Sequence, residues 1–551
     1  MNISSNIRKL TNLFVLLFVA LSAGLVYWQV IVAQPVTANI KNGRHCQSDA
    51  APKRGRILDR NGVVLAYSKP ATGLKRGSLC GYQRFYTDPQ LASVLGVYIG
   101  PLFLSSGIEH SYNDYLSGQV GVTKFNNSLN QILHRPPVGD DIYLTIDERI
   151  QKIVEKAFDT PYKVDNFQTF ASDKGSVIVT DPKTGEILAM LSRPGYDPNR
   201  FASLDNDYIN QIDHDPTQPN LNRATSGLYV PGSTYKAVTL MAALDSGSSQ
   251  LSDPFYNDPP GSTEAQQRPQ AIQTRIGGEP FGPNGNNLAI GGSLPSFPIN
   301  LDSAFSHSDN IVFAQVGAKM GAQSWLDYNQ RFGVGTNNIK FDLPVAQSRV
   351  NDPGQSTLSV NQLAENSFGQ GKDFVTPFQM SLFDDAIANN GTLMQPQLIS
   401  KIVDPSGATL RSLNPAEIGT PIKDTTASQV RDAMYGVAQC GSGRFGFATT
   451  DAAALNQSPW QIIAKTGTGQ LDNGPAQGWM FTQAPYTNPI LSIVAMKENS
   501  GEGGQSTGIM IRPMYDQIFR DVYKLQPPTA APQGDYTNGY CQKMGLLPPG
   551  L

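Results

Sequence analysis

The stretch Pro231-Gly-Ser-Thr-Tyr-Lys236 opens an apolar segment, Thr234–Leu244, whose pattern predicts a helix that ends at Gly247. Ser233 and Lys236 are three residues apart, and residues at that spacing share one face of a helix. The lysine amine can therefore reach the serine hydroxyl, which is a poor nucleophile unless a base lies beside it. A lysine serves as that base when burial and nearby cations lower its pKa. The alternative interpretation is a capping serine followed by a surface lysine.

A second candidate segment is Ser308-Asp-Asn310, which occurs once in the chain. The Ser308 hydroxyl can relay a proton to a leaving amine, and the Asn310 amide can both donate to and accept from a peptide. Taken alone, these residues are also typical of an Asx turn before the predicted helix Ile311–Lys319.

A third candidate segment, Lys465-Thr466-Gly467, continues into Thr468 and follows the predicted strand Gln461–Ala464. A cation with two hydroxyl groups along a strand edge favours binding of a carboxylate. A glycine at position 467 would let a substrate backbone approach closely. The same three letters occur at Lys183-Thr-Gly185, but there they follow Asp-Pro between two strands and indicate a turn.

The segments around these motifs predict an α/β (α+β) fold, with one mixed sheet flanked by helices. Two strands about a tight turn are predicted early, and two late strands flank a turn-rich segment: Gly175–Thr180, Glu186–Ser192, Gln461–Ala464 and Ile490–Lys497. Helices are predicted at Glu148–Ala157, Pro377–Asn389 and Arg512–Leu525. Residues 245–300 are rich in loop-forming residues, which is typical of a binding loop or a surface excursion.

An apolar run, Leu13–Val32, is 20 residues long, which is about the span of a bilayer, and Arg8 and Lys9 precede it. This pattern predicts a single transmembrane helix with a cytoplasmic N-terminus and an extracytoplasmic remainder. A cleaved signal peptide is the alternative, although its apolar region would be shorter and would end in small residues. The predicted organisation has five parts: a short cytoplasmic segment 1–12, an anchor 13–36, a mainly β module 37–150, a catalytic domain 151–525 and a Pro-rich tail 526–551.

Composition narrows the choice of function. The chain has 551 residues and a formal net charge of −3, so it lacks the basic character of a nucleic-acid-binding protein. Its four cysteines form no Cys-x-x-Cys pair, which argues against a zinc site. Two disulfides in an oxidising compartment would pair most economically as Cys46–Cys80 and Cys440–Cys541. Four cysteines allow three connectivities, and four free thiols are the other alternative.

The three motifs occur along the chain in the order found in penicillin-binding proteins and class A β-lactamases. With the surrounding strings, the chain resembles a monofunctional class B penicillin-binding protein, the transpeptidase that cross-links peptidoglycan. The strings that support the resemblance are Arg54–Gly62, Gly107-Ile-Glu109, Leu144-Thr-Ile-Asp147, Asp181–Met190, Arg223–Lys236, Ser367-Phe-Gly-Gln-Gly371 and Trp479–Pro485. Two departures are Gly469, where many relatives have alanine, and Gly441-Ser-Gly443, where relatives often show Gly-Thr.

The resemblance implies a role for each motif residue. Lys236 would take the proton of Ser233, which attacks a stem peptide ending in D-Ala-D-Ala, while backbone N–H groups of Ser233 and Thr468 form the oxyanion hole. Ser308 would pass a proton to the departing D-Ala, steered by Lys465. Asn310 would hold the substrate amide, and Thr466 and Thr468 would bind the terminal carboxylate beside Gly467.

The resemblance also implies no cofactor and no metal, covalent inhibition by β-lactams, and a partner glycosyltransferase in the membrane. Five other functions share some of these features. A β-lactamase would hydrolyse its acyl-enzyme, and a D,D-carboxypeptidase would release D-Ala to water. A β-lactam sensor needs a cytoplasmic signalling domain, and an inactive division scaffold would have lost a motif residue. A bifunctional glycosyltransferase needs more residues than 37–145 supply.

Overall fold

The computed structural model describes residues 3–27, 53–70, 82–100, 105–132, 137–161, 172–255, 275–276, 279–280, 299–336, 338–443, 458–471 and 473–527. The strands in these residues are β1 (Ile57–Leu58), β2 (Val64–Pro70), β3 (Tyr82–Tyr86), β4 (Asp141–Leu144), β5 (Gly175–Asp181), β6 (Glu186–Arg193), β7 (Pro254–Phe255), β8 (Arg275–Ile276), β9 (Glu279–Pro280), β10 (Ile299–Asn300), β11 (Leu393–Met394), β12 (Ile399–Val403), β13 (Thr409–Ser412), β14 (Glu417–Gly419), β15 (Ile463–Gly469), β16 (Gln477–Ala484) and β17 (Leu491–Lys497). The α-helices are α1 (Ile3–Val26), α2 (Ala92–Leu95), α3 (Gly107–Ser111), α4 (Asn113–Leu116), α5 (Gly121–Ile132), α6 (Glu148–Asp159), α7 (Pro198–Ala202), α8 (Asn206–Asp213), α9 (Tyr235–Ser246), α10 (Leu301–Ser306), α11 (Asn310–Met320), α12 (Ala322–Arg331), α13 (Val360–Ser367), α14 (Pro377–Ala388), α15 (Asp424–Gln439), α16 (Gly503–Ser506) and α17 (Ile511–Gln517).

The central sheet has five antiparallel strands in the order β15-β16-β17-β5-β6. Successive side chains of a strand point to opposite faces of a sheet, and β5 shows this clearly. Val177 and Val179 belong to the apolar cluster under α6 and α17, whereas Ile178 belongs to the cluster that contains α9 and α14. Helices therefore cover both faces, as the predicted fold class requires.

The strands predicted at Gly175–Thr180 and Glu186–Ser192 are confirmed, but the segment between the two late strands is more than a turn-rich connection. It contains β16, which pairs with β15 and β17 along its whole length. Its glycine and glutamines hid an alternation in which Trp479 and Phe481 face one apolar cluster and Met480 faces the other. The helix predicted at 512–525 is shorter than expected, because α17 gives way to a wider π-helical turn at Ile518–Val522.

A second sheet has the order β13-β12-β4-β1-β2-β3. The hairpin between β1 and β2 turns at Gly62, whose φ of 88° is accessible to glycine. Strands β12 and β13 come from far along the chain and pair onto β4. Strands from both sides of residue 150 therefore pair within one sheet. The division of the chain into a module 37–150 and a domain 151–525 stays a prediction.

At the N-terminus, α1 contains an 18-residue window, Lys9–Val26, that is long and apolar enough to cross a membrane, with a mean hydropathy of 2.0. The rest of the predicted anchor, beyond residue 27, lies outside the described residues. Cys440 is disulfide-bonded, so four free thiols are excluded. Cys46, Cys80 and Cys541 lie outside the described residues, and the connectivity stays a prediction.

Candidate active site

Ser233 lies in a 3-10 turn, Gly232–Thr234, that runs directly into α9, and Gly247 ends that helix in the left-handed region. The turn and the helix together place Ser233 Oγ 2.9 Å from Lys236 Nζ. Ser233 is 7% exposed and Lys236 is fully buried. The predicted helix is thus confirmed, beginning one residue later than expected, and its lysine is a core residue and not a surface one.

Lys236 Nζ is surrounded by acceptors from the second motif. It lies 2.6 Å from the backbone oxygen of Ser308, 3.2 Å from Ser308 Oγ and 2.6 Å from Asn310 Oδ1. Burial lowers the pKa of Lys236 to about 7, against the opposing influence of the nearby Asp309 carboxylate. At neutral pH a substantial fraction of this amine is therefore unprotonated and able to accept a proton.

Ser308 occupies the turn between α10 and α11 with a φ of 62°, a conformation that few residues other than glycine adopt. Asp309 begins α11 by accepting a hydrogen bond from the Val312 N–H at 3.0 Å. The interpretation of this motif as a turn that precedes a helix is therefore correct for Asp309, while the residues on either side of it contact Lys236. Strained backbone of this kind persists where the surrounding structure holds it, often at functional sites.

The third motif lies within β15, not after the strand as predicted, because the strand begins at Ile463 and continues to Gly469. Lys465 is fully buried, and its Nζ lies 2.9 Å from Ser308 Oγ. Burial and the neighbouring Lys236 hold the pKa of Lys465 well below its usual value. The two lysines and Ser308 thus form one hydrogen-bonded chain that leads to Ser233.

Gly467 makes a close approach within the protein itself, and the approach of a substrate backbone at this position stays a prediction. A Cβ at this position would lie 2.8 Å from the Pro231 carbonyl oxygen and 2.9 Å from the Thr234 backbone nitrogen. The absence of a side chain therefore lets β15 lie against the turn that carries Ser233. The close approach is made by the protein's own backbone.

The backbone of Thr468 points away from β16, since its carbonyl oxygen accepts a hydrogen bond from Gln370 Nε2 at 3.1 Å. The N–H and C=O of one strand residue point to the same side, so the Thr468 N–H also points to this free edge. A Cβ at Gly232 would overlap the Thr468 carbonyl group, which shows how closely the two segments approach. The Gly232 N–H in turn donates to the Gly369 carbonyl at 2.8 Å.

Thr466 is 8% exposed, and its hydroxyl lies 2.7 Å from that of Ser442, at the end of α15. The Ser442 N–H donates to the Ser306 carbonyl oxygen at 3.0 Å, which ties this segment to α10. Thr468 is partly exposed on the same strand. The two threonines and Ser442 thus place three hydroxyl groups along or beside one strand edge.

All eight residues singled out in the sequence lie on the three segments that meet here: Ser233, Lys236, Ser308, Asn310, Lys465, Thr466, Gly467 and Thr468. Sequence reasoning missed Gln370 and Ser442 as contributors to the site. Both lie in glycine-rich strings, Ser367–Gly371 and Gly441-Ser-Gly443, and these glycines were the signal that the sequence offered. Nothing in the sequence indicated which side chain in those strings reaches β15.

Comparison with known proteins identifies the family. The model of the penicillin-binding protein transpeptidase domain matches residues 175–275 and 286–522, and that of the penicillin-binding protein A dimerisation domain matches residues 54–142. The chain belongs to the penicillin-binding proteins. The class B resemblance of the sequence is thereby confirmed.

Relatives of this penicillin-binding protein include the peptidoglycan D,D-transpeptidase PbpA of Mycolicibacterium smegmatis, 28% identical over 92% of this chain and 96% of the relative. The peptidoglycan D,D-transpeptidase MrdA of Escherichia coli is 28% identical over 79% of this chain and 67% of its own. The fold is similar to that of penicillin-binding protein A from M. tuberculosis in its imipenem acyl-enzyme complex. That similarity has a TM-score of 0.68 at 27% identity and covers 85% of this chain and 98% of the other.

Proposed function

We propose that this protein is a serine-type peptidoglycan D,D-transpeptidase that β-lactams acylate at Ser233. The observation that carries the proposal is the meeting of three distant segments at one hydroxyl: Ser308 Oγ lies within 3.2 Å of Lys236 Nζ and 2.9 Å of Lys465 Nζ. A serine nucleophile, a buried amine base and a hydroxyl relay are the groups that acyl transfer needs.

In the first half-reaction, unprotonated Lys236 accepts the Ser233 proton as Ser233 Oγ bonds to the penultimate carbonyl of the donor stem peptide. The oxyanion forms between the N–H groups of Ser233 and Thr468, and each such donor contributes about 3–4 kcal/mol to the transition state. The C–N bond to the terminal D-Ala then breaks, and the departing amine receives its proton through Ser308 from the lysine pair. The products are an acyl-enzyme and free D-Ala.

In the second half-reaction, the amine of a neighbouring stem peptide attacks the acyl carbon. Its proton passes back through the same groups, the ester bond to Ser233 breaks, and the hydroxyl is restored with the cross-link formed. The hydroxyl groups of Thr466 and Thr468 hold the donor's terminal carboxylate in the first step. Asn310 orients Lys236 through its Oδ1 and holds the substrate amide.

Transpeptidation is distinguished from hydrolysis by its acceptor. We expect the purified full chain, given a D-Ala-D-Ala donor and an amine acceptor, to form the amide-linked product in excess of the free acid, as measured by mass spectrometry. Nitrocefin should acylate the protein once without continuing turnover. Steady nitrocefin hydrolysis would identify a β-lactamase, and D-Ala release with no amide product would identify a carboxypeptidase.

We also propose that α1 anchors the protein as a single-pass membrane protein with its N-terminus in the cytoplasm and its catalytic part outside. Arg8 and Lys9 at the start of the apolar window support this orientation. A membrane glycosyltransferase, which supplies the glycan strands, is the proposed partner.

Gln370 is proposed to hold the two sides of the oxyanion hole in register, since it donates to Thr468 while the adjacent Gly369 accepts from Gly232. In Gln370→Glu a carboxylate would face the Thr468 carbonyl, so acylation by penicillin should slow about tenfold to a hundredfold. Direct loss of an oxyanion donor costs about 10²–10³-fold. The measurement is the acylation rate constant from stopped-flow labelling.

A structural defect would lower this rate equally at every pH. Repulsion by the carboxylate predicts instead that the ratio of variant to parent rate rises as the pH falls and the introduced glutamic acid gains a proton. Gln347→Glu, at an exposed position, is the matched control and should leave the rate unchanged. A ratio that stays flat with pH would show that Gln370 does not act through Thr468.

A further inference from the structure

Helix α5 buries polar residues and exposes apolar ones, which is the reverse of the usual amphipathic arrangement. Its polar residues Thr123 and Asn127 are 2% and 7% exposed and face the module. Thr123 Oγ1 donates to Asp140 Oδ1, and Asn127 Nδ2 donates to the carbonyl oxygens of Gly118 at 3.1 Å and Val138 at 2.9 Å. The Val138 N–H donates back to Asn127 Oδ1 at 3.0 Å. These bonds fix which side of the helix faces outwards.

The outward side carries Val122, Phe125 and Leu129, which are 58%, 65% and 45% exposed. Their spacing places them in one line along the helix, and we call them the α5 stripe. Beyond residue 27, seven large apolar side chains are exposed among the described residues, and three of the seven form this stripe. Single exposed apolar residues are ordinary, but an aligned set on a hydrogen-bonded helix indicates a docking surface.

The length of chain between α1 and the module limits how far the stripe can lie from a bilayer. Lys53 is the first described residue after the segment that follows α1, and it pairs in parallel with Val138. The Lys53 N–H donates to the Pro137 carbonyl at 2.9 Å, and the Gly139 N–H donates to the Lys53 carbonyl at 2.9 Å. The 25 residues 28–52 join α1 to this segment, which also holds Asn127 of α5, so α5 stays within about 90 Å of the bilayer that would hold α1.

The charge of this region also fits a lipid bilayer as the surface that covers the stripe. The sequence contains no aspartate or glutamate between Asp114 and Asp140, while it carries Lys124 on α5 and Arg135 after it. A helix with an exposed apolar side, one basic residue and no acidic residue is suited to the surface of a bilayer that contains anionic lipids.

We infer that the α5 stripe docks on the outer surface of the bilayer that holds α1, with Val122, Phe125 and Leu129 among the anionic phospholipids. This inference rests on the proposed single-pass anchor and its orientation. The stripe supplies a second attachment point, which sets the tilt of the module above the membrane. A second copy of the chain is the competing occupant, since the family model that covers α5 describes a dimerisation domain.

The test uses the full chain reconstituted in phosphatidylcholine vesicles that contain phosphatidylglycerol. Phe125→Trp places a fluorophore in the stripe, and Ile418→Trp places one at an exposed apolar position on β14, away from α5 along the chain. We expect nitroxide-labelled lipids to quench the added emission of Phe125→Trp at least twofold more than that of Ile418→Trp. Equal quenching of the two variants would overturn the inference.

A chemical cross-linking arm tests the competing occupant. If the stripe binds a second copy, dimers should form in the vesicles and disappear in Phe125→Glu, and that result would also overturn the inference. Vesicle flotation of the parent reports failure of the anchor separately, because a chain without an anchor would not float. Penicillin labelling reports the proposed catalytic function independently, and it should be unchanged in all three variants.

Discussion

Ser233→Ala is expected to abolish covalent labelling by a fluorescent penicillin. Ser233 Oγ is the hydroxyl assigned as nucleophile beside the Lys236 base, whereas Ser308 Oγ lies between Lys236 and Lys465 as the proton relay. The stability of the fold should be almost unaffected, since the change removes one hydroxyl that is 7% exposed. The melting temperature should shift by no more than about 2–4 °C, the effect of roughly 1 kcal/mol in a large domain.

Ser226→Ala is the matched control, because Ser226 lies on the same approach to α9 but is exposed and outside the site. It should label like the parent. Persistent labelling of Ser233→Ala with an unchanged melting temperature would show that another residue is the nucleophile.

Lys236→Met should lower the acylation rate by about 10²–10⁴-fold, the contribution of a positioned general base. The parent rate should rise with pH and level off above the pKa of Lys236, which burial lowers to about 7. The rate should rise with pH because the protonated amine, which predominates below that pKa, cannot accept the Ser233 proton. In the variant this rise around neutral pH should be lost.

The matched control is Lys183→Ala, which alters the other Lys-Thr-Gly string of the chain. Lys183 Nζ contacts Asn488 Oδ1 at an exposed site between β5 and β6. This variant should keep both the rate and the pH profile of the parent. A Lys236→Met protein that is folded and retains the parent's pH profile would assign the base to another group.

Local sequence signals predicted much of this site because each motif has a simple local geometry. A serine and a lysine three residues apart meet on any helix, and α9 places them 2.9 Å apart. The strands β5 and β6 were likewise visible as β-branched and apolar runs about a tight turn. The meeting of the three segments followed from the family resemblance, since separation along the chain does not determine a distance in space.

Other features depended on contacts that no local pattern records. The continuation of β15 through Gly467 is stabilised by pairing with β16, and both strands are rich in residues that usually indicate turns. The role of Gly467 depends on the approach of Pro231 from another segment. The reach of Gln370 to Thr468 depends on the fold of the loop between α13 and α14.

The acyl group itself provides the most direct test of the mechanism. The full chain would be trapped with penicillin, digested, and mapped by tandem mass spectrometry. We expect a single adduct on the peptide that contains Ser233, with fragment ions that assign the added mass to that residue. An adduct on Ser308, on Lys236 or on a peptide outside the three motifs would contradict it.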